Sequence, residues 1–334
     1  MKKLFNILPL LLVVSLTACT NEEYFTGTFY CFDTHVSMKL KNTKGYPGLK
    51  TMAEITNICE EIDKEADSYL KRDVVGVYDL NQTNEKIEIS KNLHRLLSFS
   101  LNASKKAKYF NPLVGSLSNK WKESLAKNEV LSNTVIQEEL AKINSSNLTL
   151  SSEGNAYYAQ RTGEALIDLG AIAKGYALDR LQDCLPAYVP SNDYLINAGD
   201  SSVLLGTNSA KRKGANEGEY VLKIKGLSKA KYLHYKNRFI STSGTSEQKT
   251  VINNVTYSHI VNPLKGGAES LYDTVMVISD VETYENGSLG DALSTSFMMS
   301  SLEEIKEAEK NNNIEVIVIK DDDILYQSAS VTIY

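Results

Sequence analysis

The chain has little cysteine, little histidine and no excess of positive charge. Its 334 residues include four cysteines and four histidines, and the formal net charge is −5. No C-x-x-C pair is present and the histidines lie far apart, so neither a disulfide framework nor a zinc site is predicted. Because there is no basic patch, the acidic balance excludes nucleic acid as a partner.

The longest apolar run stands near the N-terminus, where Lys2 and Lys3 precede residues 4–16. A basic start and a short apolar core are typical of a secretory signal, and the run is too short to span a membrane comfortably. The sequence L-T-A-C that ends at Cys19 resembles a bacterial lipobox. We therefore predict a signal peptide over 1–18 and a tether over 19–27 that begins with lipidated Cys19. The lipid anchor would hold the protein at the extracytoplasmic face of the cell membrane, whereas an ordinary signal peptide with an incidental cysteine is the alternative.

Hydrophobic periodicity predicts a mixture of helices and strands. Apolar spacing predicts helices over 49–70, 93–109, 134–143, 289–301 and 302–310. Short β-rich runs predict strands over 25–40, 165–167, 195–197, 202–205, 220–224, 239–242, 259–261, 274–278 and 314–319, with a terminal hairpin around 321–323. Successive strands without intervening helices favour the α+β class. Because no internal repeat or long linker divides the chain, residues 28–334 are predicted to form one domain.

The segment 168–177, D-L-G-A-I-A-K-G-Y-A, is the most informative one. A carboxylate and a lysine six residues apart, separated by small residues, suit a turn that closes on a polar ligand. The helix that follows would present its N-terminus to an anion, and Lys174 would add positive charge. Neither G-x-G-x-x-G nor G-x-x-x-x-G-K-[ST] is present, so the segment predicts a ligand turn of another kind.

Four further clusters place small and polar residues where a plain strand or helix is expected. They are 195–202 (L-I-N-A-G-D-S-S), 241–246 (S-T-S-G-T-S), 257–263 (Y-S-H-I-V-N-P) and 290–296 (G-D-A-L-S-T-S). The first three taken alone are most often a turn, a bend and a structural histidine. In the fourth, Asp291, Ser294 and Thr295 share one helix face. They indicate either a helix N-cap or oxygen ligands for Mg²⁺ beside a phosphate.

Taken in order, these clusters resemble the ApbE-type FAD:protein FMN transferases. That family shows D-[LF]-G-x-[IV]-A-K-G-Y, N-x-G-G, T-S-G, H-I-[IV]-D-P and D-A-L-x-T. The matching segments here are 168–176, 197–200, 242–244, 259–263 and 291–295. Two looser matches are F-D-T at 32–34 and F-N-P-L-V-G-S-L at 110–117, which is followed by Trp121. The resemblance extends from about residue 29 to the C-terminus.

The resemblance implies an α+β, T-fold-related domain with two lobes, mixed or antiparallel sheets and flanking helices. It also implies an enzyme that takes Mg²⁺-bound FAD as substrate and transfers FMN to a threonine side chain of an acceptor protein. AMP would be the leaving group. The acceptor would be a flavoprotein or a membrane electron-transfer subunit.

Carried over position by position, the resemblance implies an FAD site and a metal site. The FAD site would comprise Phe32, Tyr69, Phe110, Asn111, Asp168, Lys174, Thr242, Ser243, Gly244, His259 and Ile260. The ligands of Mg²⁺ would be the backbone carbonyl of Ala171, the Asp291 carboxylate, and hydroxyl or backbone oxygens of Ser294 and Thr295. His259 and Asp291 are the implied catalytic residues, because a histidine or an aspartate could take the acceptor proton.

The chain departs from the family pattern at four places. Asn111 and Asn262 replace aspartates, Asp200 replaces a glycine, and 266–267 reads G-G where T-G is common. Of these departures, Asp200 is expected to affect activity most, because it adds a negative charge to a turn beside the expected phosphates.

Three alternative functions stay open. The first is an FAD pyrophosphatase of the same family, which would release FMN and AMP. The second is a non-catalytic flavin-binding lipoprotein. The third is an unrelated surface serine enzyme that uses the S-x-x-K at 228–231, although no K-T-G accompanies it.

Overall fold

The computed structural model describes residues 23–45, 47–210, 216–245, 249–268, 270–283 and 285–334. The predicted signal peptide and Cys19 lie outside the described residues. Residues 24–27, the end of the predicted tether, lie in the first strand. Within the described ranges, no helix is long and apolar enough to cross a membrane.

The described residues form eight helices and fifteen strands. The helices are α1 (Gly48–Ala66), α2 (Val77–Gln82), α3 (Lys91–Lys106), α4 (Gly115–Ala126), α5 (Asn133–Ser145), α6 (Ala173–Tyr188), α7 (Asn286–Phe297) and α8 (Leu302–Asn312). The strands are β1 (Tyr24–Cys31), β2 (Thr34–Lys41), β3 (Ile87–Ile89), β4 (Asn147–Glu153), β5 (Ala156–Thr162), β6 (Tyr194–Ala198), β7 (Ser202–Leu205), β8 (Tyr220–Lys223), β9 (Tyr232–Tyr235), β10 (Arg238–Gly244), β11 (Lys249–Ile252), β12 (Val255–Ser258), β13 (Thr274–Asp280), β14 (Glu315–Lys320) and β15 (Asp323–Gln327).

Eight of the strands form one sheet in the order β1-β2-β6-β7-β10-β13-β14-β15. Every neighbouring pair in this sheet is antiparallel. A three-stranded sheet, β3-β5-β4, and the hairpins β8-β9 and β11-β12 complete the described strands. The predicted α+β class with antiparallel sheets and flanking helices is confirmed.

The strands β13 and β14 of the large sheet are buried on both faces. In β14, Val316 and Val318 belong to the larger hydrophobic cluster, whereas Ile317 and Ile319 belong to a smaller cluster on the other face. Side chains alternate between the faces of a strand, so an all-apolar strand is expected where both faces are covered. The helices α6 and α7 pack on the face of the larger cluster, and α7 lies against β10 and β13.

The single strand predicted over 25–40 is wrong, because the chain reverses direction at Phe32 and Asp33. The pairing of Cys31 with Thr34 leaves a two-residue turn, and both turn residues have positive φ, 54° and 55°. Two positive values are typical of a type I′ hairpin turn, which usually carries asparagine or glycine. Here the backbone N–H of Phe32 hydrogen-bonds to the Asp63 carboxylate on α1, so a distant helix holds the turn.

Two other predicted strands are also wrong. Residues 165–167 belong to no strand, and their backbone groups bond to side chains and to the amide of Gly115. The amide of Ile167 donates to Oδ1 of Asn81 at 2.8 Å, and Nδ2 of Asn81 donates to the Ile167 carbonyl at 2.9 Å. Residues 259–261 follow the end of β12 and form a loop.

Candidate active site

The sequence clusters meet at one cavity of about 250 Å³. It lies where the turn before α6, the end of β10, the loop after β12 and the helix α7 come together. Of the residues predicted for FAD or Mg²⁺, those in its wall are Phe110, Asn111, Asp168, Ala171, Lys174, Thr242, Ser243, Gly244, His259, Ile260, Asp291, Ser294 and Thr295. Phe32 and Tyr69 are not part of this wall.

The Asp291 carboxylate is buried at the base of the cavity and has partners on both oxygens. The Gly175 amide donates to Oδ2 at 2.6 Å, and the Ser202 hydroxyl donates to Oδ1 at 2.8 Å. Burial raises the pKa of Asp291, and the charge of Lys174 is the largest of the opposing effects. The N-cap interpretation of Asp291 is wrong, because α7 begins at Asn286, more than one turn earlier.

Neutral hydroxyl oxygens line the same cavity as this carboxylate. The Ser243 hydroxyl lies 2.9 Å from the Ser294 hydroxyl and 3.2 Å from that of Thr295. Gly175 lies in the first turn of α6, where amides have no acceptor within the helix, and its amide donates to Asp291. Ala171 stands just before the N-cap residue Ile172 and lines the cavity, so its carbonyl lies outside the helix.

The oxygen set suits a hard cation and does not suit zinc. Among the described residues, no group of three or more His, Cys, Asp or Glu side chains is placed to hold a metal ion. A single carboxylate with hydroxyl and carbonyl oxygens is instead the type of donor set that Mg²⁺ accepts, since Mg²⁺ keeps several waters.

Asp168 and His259 face the cavity from its other side. The Gly170 amide donates to Oδ1 of Asp168 at 2.8 Å, which fixes the carboxylate in the turn before α6. Burial raises the pKa of Asp168, while the Gly170 amide and then the charges of Lys122 and His259 oppose that shift. His259 is exposed on the loop after β12, so it can exchange protons with solvent.

The two asparagines that replace family aspartates keep the acceptor that their turns need. Oδ1 of Asn111 accepts from the Leu113 amide at 2.9 Å. Oδ1 of Asn262 accepts from the amides of Leu264 and Lys265, each at 2.9 Å. An amide oxygen caps a turn as a carboxylate does, so neither replacement disturbs the local backbone.

The segment with two glycines at 266–267 is attached to Trp121 of α4. Nε1 of Trp121 donates to the Gly266 carbonyl at 2.7 Å, and the Gly266 amide donates to the Asn262 carbonyl at 2.8 Å. These bonds close the loop that begins at His259. The upstream tryptophan of the motif therefore supports one wall of the cavity without lining it.

The negative charge that Asp200 brings to the cavity is balanced by Lys225. Nζ of Lys225 lies 2.6 Å from Oδ2 of Asp200, and Nδ2 of Asn197 donates to Oδ1 at 2.5 Å. The bond to Lys225 is the largest of the effects that hold the pKa of Asp200 below its usual value. Both members of the pair line the cavity.

Tyr69 lies on the loop between α1 and α2, and its side chain is half exposed. Its amide donates to Oδ1 of Asp67 at 2.8 Å, and Nζ of Lys122 lies 4.7 Å from the ring centroid. Burial, followed by the charge of Asp168, raises the pKa of Tyr69 to about 12. The ring is thus near enough to Asp168 to sense its charge, although it does not line the cavity.

Sequence reasoning missed the roles of Ser202 and Lys225. Ser202 opens β7 directly opposite Ser241 of β10, and the two serines both hydrogen-bond to Asp291. The signal available in the sequence was that both serines belong to polar clusters, Ser202 to 195–202 and Ser241 to 241–246. Lys225 follows β8 and reaches Asp200 only through the fold, so no local pattern marks it.

Comparisons with known proteins agree with this architecture. The ApbE family model matches residues 32–318. An FAD:protein FMN transferase of Buchnera aphidicola subsp. Schizaphis graminum is 25% identical over 215 residues, which cover 62% of this chain and 61% of that protein. The chain thus spans less than two thirds of that relative. A second, from Buchnera aphidicola subsp. Baizongia pistaciae, is 25% identical over 323 residues, 92% of this chain and 91% of that protein.

Solved structures share the fold over most of the chain. The ApbE protein of Thermotoga maritima aligns with a TM-score of 0.75 at 22% identity, covering 92% of this chain and 97% of that one. The flavin transferase ApbE of Vibrio cholerae aligns with a TM-score of 0.70 at 21% identity, covering 92% and 98%. At these identities the alignments establish a common fold.

Proposed function

The chain belongs to the ApbE family, and from that membership we propose that it transfers FMN from FAD to a threonine side chain of an acceptor protein. AMP is the second product. The observation that carries the proposal is the single cavity where a lysine, a hydroxyl-rich strand end and a buried carboxylate with neutral oxygens meet. This combination suits a pyrophosphate and its counter-ion.

The proposed FAD site uses polar groups for the phosphates and aromatic groups for the rings. Lys174 supplies positive charge, and the hydroxyls of Thr242 and Ser243 are donors for phosphate oxygens. Phe110 contributes an apolar surface at the same cavity. Asn111, Asp168, Gly244 and Ile260 complete the proposed contacts, while Phe32 and Tyr69 are proposed to act at the outer edge of the site.

The proposed Mg²⁺ ligands are the Ala171 carbonyl, Asp291, Ser294 and Thr295. Their fit rests on hard oxygen chemistry and on their shared place in the wall of one cavity, where Ala171 precedes the start of α6. When bound, Mg²⁺ would neutralise charge on the pyrophosphate. Lys174 would add a second positive charge beside the same phosphates.

In the proposed reaction, the threonine Oγ forms a bond to the phosphorus of the FMN half, and the bond from that phosphorus to the AMP oxygen breaks. The threonine proton passes to a base. His259 suits this role better than Asp291, because both carboxylate oxygens of Asp291 already accept hydrogen bonds. Lys174 would balance the charge that develops on the departing phosphate.

The location proposed for this reaction is the extracytoplasmic face of the cell membrane. Lipidated Cys19 would anchor the domain beside acceptors in the same membrane, such as a flavoprotein or an electron-transfer subunit. The L-T-A-C sequence at residues 16–19 supports this part of the proposal.

The test uses purified residues 20–334 with FAD, Mg²⁺ and a recombinant flavoprotein domain that exposes one threonine. We expect flavin fluorescence on the acceptor band after denaturing electrophoresis, with one AMP released per label. The acceptor with that threonine replaced by alanine should stay unlabelled. Asp291→Asn should lower the rate by about 100-fold or more, whereas Glu303→Gln, on the exposed face of α8, should not.

The alternatives give different products in the same assay. AMP and free FMN without labelled acceptor would identify an FAD pyrophosphatase. Intact FAD retained by the protein would identify a flavin-binding lipoprotein. Full activity of Asp291→Asn would contradict the metal assignment while leaving the transferase assignment intact.

A further inference from the structure

A second carboxylate, that of Asp179, is buried between α6 and α7. It does not line the cavity and has no role in the proposed chemistry. Its backbone position is one helical turn after Gly175 on α6, so Asp179 and Gly175 share a helix face. A buried carboxylate is costly unless hydrogen bonds compensate it, so its partners indicate what it does.

The partners of Asp179 are at the N-terminus of α7. Amides in the first turn of a helix have no acceptor within the helix, and Glu285 at the N-cap position makes no side-chain capping bond. The Gly287 amide donates to Oδ1 of Asp179 at 2.7 Å, and the Ser288 amide donates to Oδ2 at 2.8 Å. The Ser288 hydroxyl also donates to Oδ2. A side chain of α6 therefore caps α7.

A reciprocal contact lies one turn away. Asp291, four residues after Gly287 on α7, accepts from the Gly175 amide, four residues before Asp179 on α6. Each helix thus offers one carboxylate to backbone amides of the other helix. The two carboxylates hold the pair at two points about one helical turn apart, roughly 6 Å along the axis.

No side chain separates the helices between these two points. A Cβ atom added to Gly175 would lie 2.2 Å from the Gly287 carbonyl oxygen, and one added to Gly287 would lie 2.6 Å from the Gly175 carbonyl oxygen. Backbone contact this close leaves little freedom for sliding or rotation. The position of α7 along α6 is consequently held by this backbone contact together with the two carboxylate contacts.

We propose that Asp179 is a positioning residue for the metal site. By capping α7 it sets the register of α7 against α6, so that Asp291, Ser294 and Thr295 face the turn that holds Ala171 and Lys174. This inference rests on the proposed function, because it assigns Asp179 a purpose in that same site. A cap that served stability alone would affect unfolding but not the response to Mg²⁺.

The first test measures FMN transfer by Asp179→Asn as a function of Mg²⁺ concentration. The asparagine keeps the shape of the side chain and one acceptor for Gly287, but its NH₂ group cannot accept from Ser288. We expect the half-saturating Mg²⁺ concentration to rise about 10-fold or more, as when a supporting residue of a metal site is lost. Because the FAD contacts are unchanged, KM for FAD at saturating Mg²⁺ should change less than twofold.

Asp183→Asn is the matched control, because it changes a carboxylate one turn further along α6. Asp183 pairs with Arg180, 2.8 Å away, and is not among the partners of α7. Its half-saturating Mg²⁺ concentration should equal that of the unaltered protein. Ser288→Ala removes only the hydroxyl bond, so it should shift the Mg²⁺ response in the same direction by roughly threefold.

The second test needs neither activity nor metal. Amide hydrogen exchange of the metal-free protein should show faster exchange at Gly175 in Asp179→Asn, because a shift of Asp291 would free that amide. Asp183→Asn should leave the exchange rate at Gly175 unchanged.

An unchanged Mg²⁺ response in Asp179→Asn, together with a lower Tm, would overturn the proposal and leave a purely structural cap. If Asp179→Asn does not fold, the Mg²⁺ response and the Tm of Ser288→Ala test the proposal in the same way. If the unaltered protein transfers no FMN, the proposed function fails, and the exchange rate at Gly175 still decides whether Asp179 positions Asp291.

Discussion

At the scale of single residues, Lys225 compensates the negative charge that Asp200 adds to the wall of the cavity. Their 2.6 Å contact is half exposed, so it adds less than about 1 kcal/mol to stability. Its effect on ligands is expected to be larger than its effect on folding. An unpaired carboxylate in the cavity wall would repel the phosphates of FAD.

Lys225→Ala is therefore expected to weaken FAD binding by roughly three- to tenfold, the effect of one uncompensated charge at a well-solvated site. The double variant Asp200→Gly, Lys225→Ala should recover the original affinity. Glycine suits position 200, where φ is 56°. Titration of FAD fluorescence measures both affinities.

Lys223→Ala is the matched control, since it removes an exposed lysine two residues away that does not line the cavity. It should bind FAD as the unaltered protein does. If the Lys225→Ala variant and the double variant lost the same amount of FAD affinity, Lys225 would act on FAD directly and not by balancing the charge of Asp200.

At the scale of secondary-structure elements, the close contact of α6 and α7 is the feature most sensitive to substitution. Gly175→Ala would bring a methyl group to 2.2 Å from the Gly287 carbonyl oxygen and to 2.9 Å from Cγ of Asp291. We expect a loss of about 1–3 kcal/mol in the free energy of unfolding, as for an overpacked core. FMN transfer should fall as well, because the helices that carry the proposed metal ligands must separate. Chemical denaturation and the transfer assay measure the two effects.

Gly154→Ala serves as the comparison for Gly175→Ala. The Cβ at position 154 would have open space, but φ is +60°, so only backbone strain of about 1 kcal/mol is expected. Transfer activity should be unchanged in this variant. Equal activity of Gly175→Ala and the unaltered protein would show that the two helices can separate without disturbing the site.

The sequence predicts those elements well whose pattern is local. The strand β7 and the terminal hairpin of β14 and β15 follow from alternation and turn residues, and so do the cores of most helices. The hairpin turn at Phe32 and Asp33 does not, because the pair contains neither asparagine nor glycine and a contact from Asp63 holds it. Apolar residues near 260 predict a strand, but Ile260 and Val261 belong to no strand and are buried in the larger hydrophobic cluster.

In the candidate site, too, local sequence patterns predict some features, and contacts between distant residues determine the others. Asp168, Lys174, Asp291 and Thr295 stand in segments that the resemblance marks, and they meet at one cavity. The predicted start of α7, residue 289, is later than the observed start at Asn286, because the cap comes from Asp179, more than a hundred residues earlier. Long-range partners of this kind leave no periodicity in the sequence.

At the scale of the whole molecule, one hydrophobic cluster contains buried residues from Cys31 to Val318. The single tryptophan, Trp121, belongs to this cluster and is 2% exposed. We expect residues 23–334 to unfold in one transition, with the same midpoint by tryptophan fluorescence and by far-ultraviolet circular dichroism. Two separate midpoints would contradict the prediction that residues 28–334 are one domain.

The proposed anchor makes a prediction for the intact chain in cells. Cys19→Ala should move the protein from the membrane fraction to the soluble fraction, because no lipid can be attached without the thiol. Thr20→Ala, the neighbouring substitution, should leave the distribution unchanged. Immunoblots of fractionated cells measure both, and Cys19→Ala that stayed with the membrane would rule out this anchor.

The early start of β1 has a geometric consequence for how such an enzyme would find its targets. β1 is an edge strand of the large sheet, and five peptide steps lead back from Tyr24 to Cys19. Even fully extended, this segment between Cys19 and Tyr24 spans at most about 18 Å. A lipid on Cys19 would confine the enzyme to a thin layer above the bilayer and turn its search into a two-dimensional one. A longer segment would widen that layer. The enzyme would therefore select acceptors by the height above the membrane at which their threonine is presented.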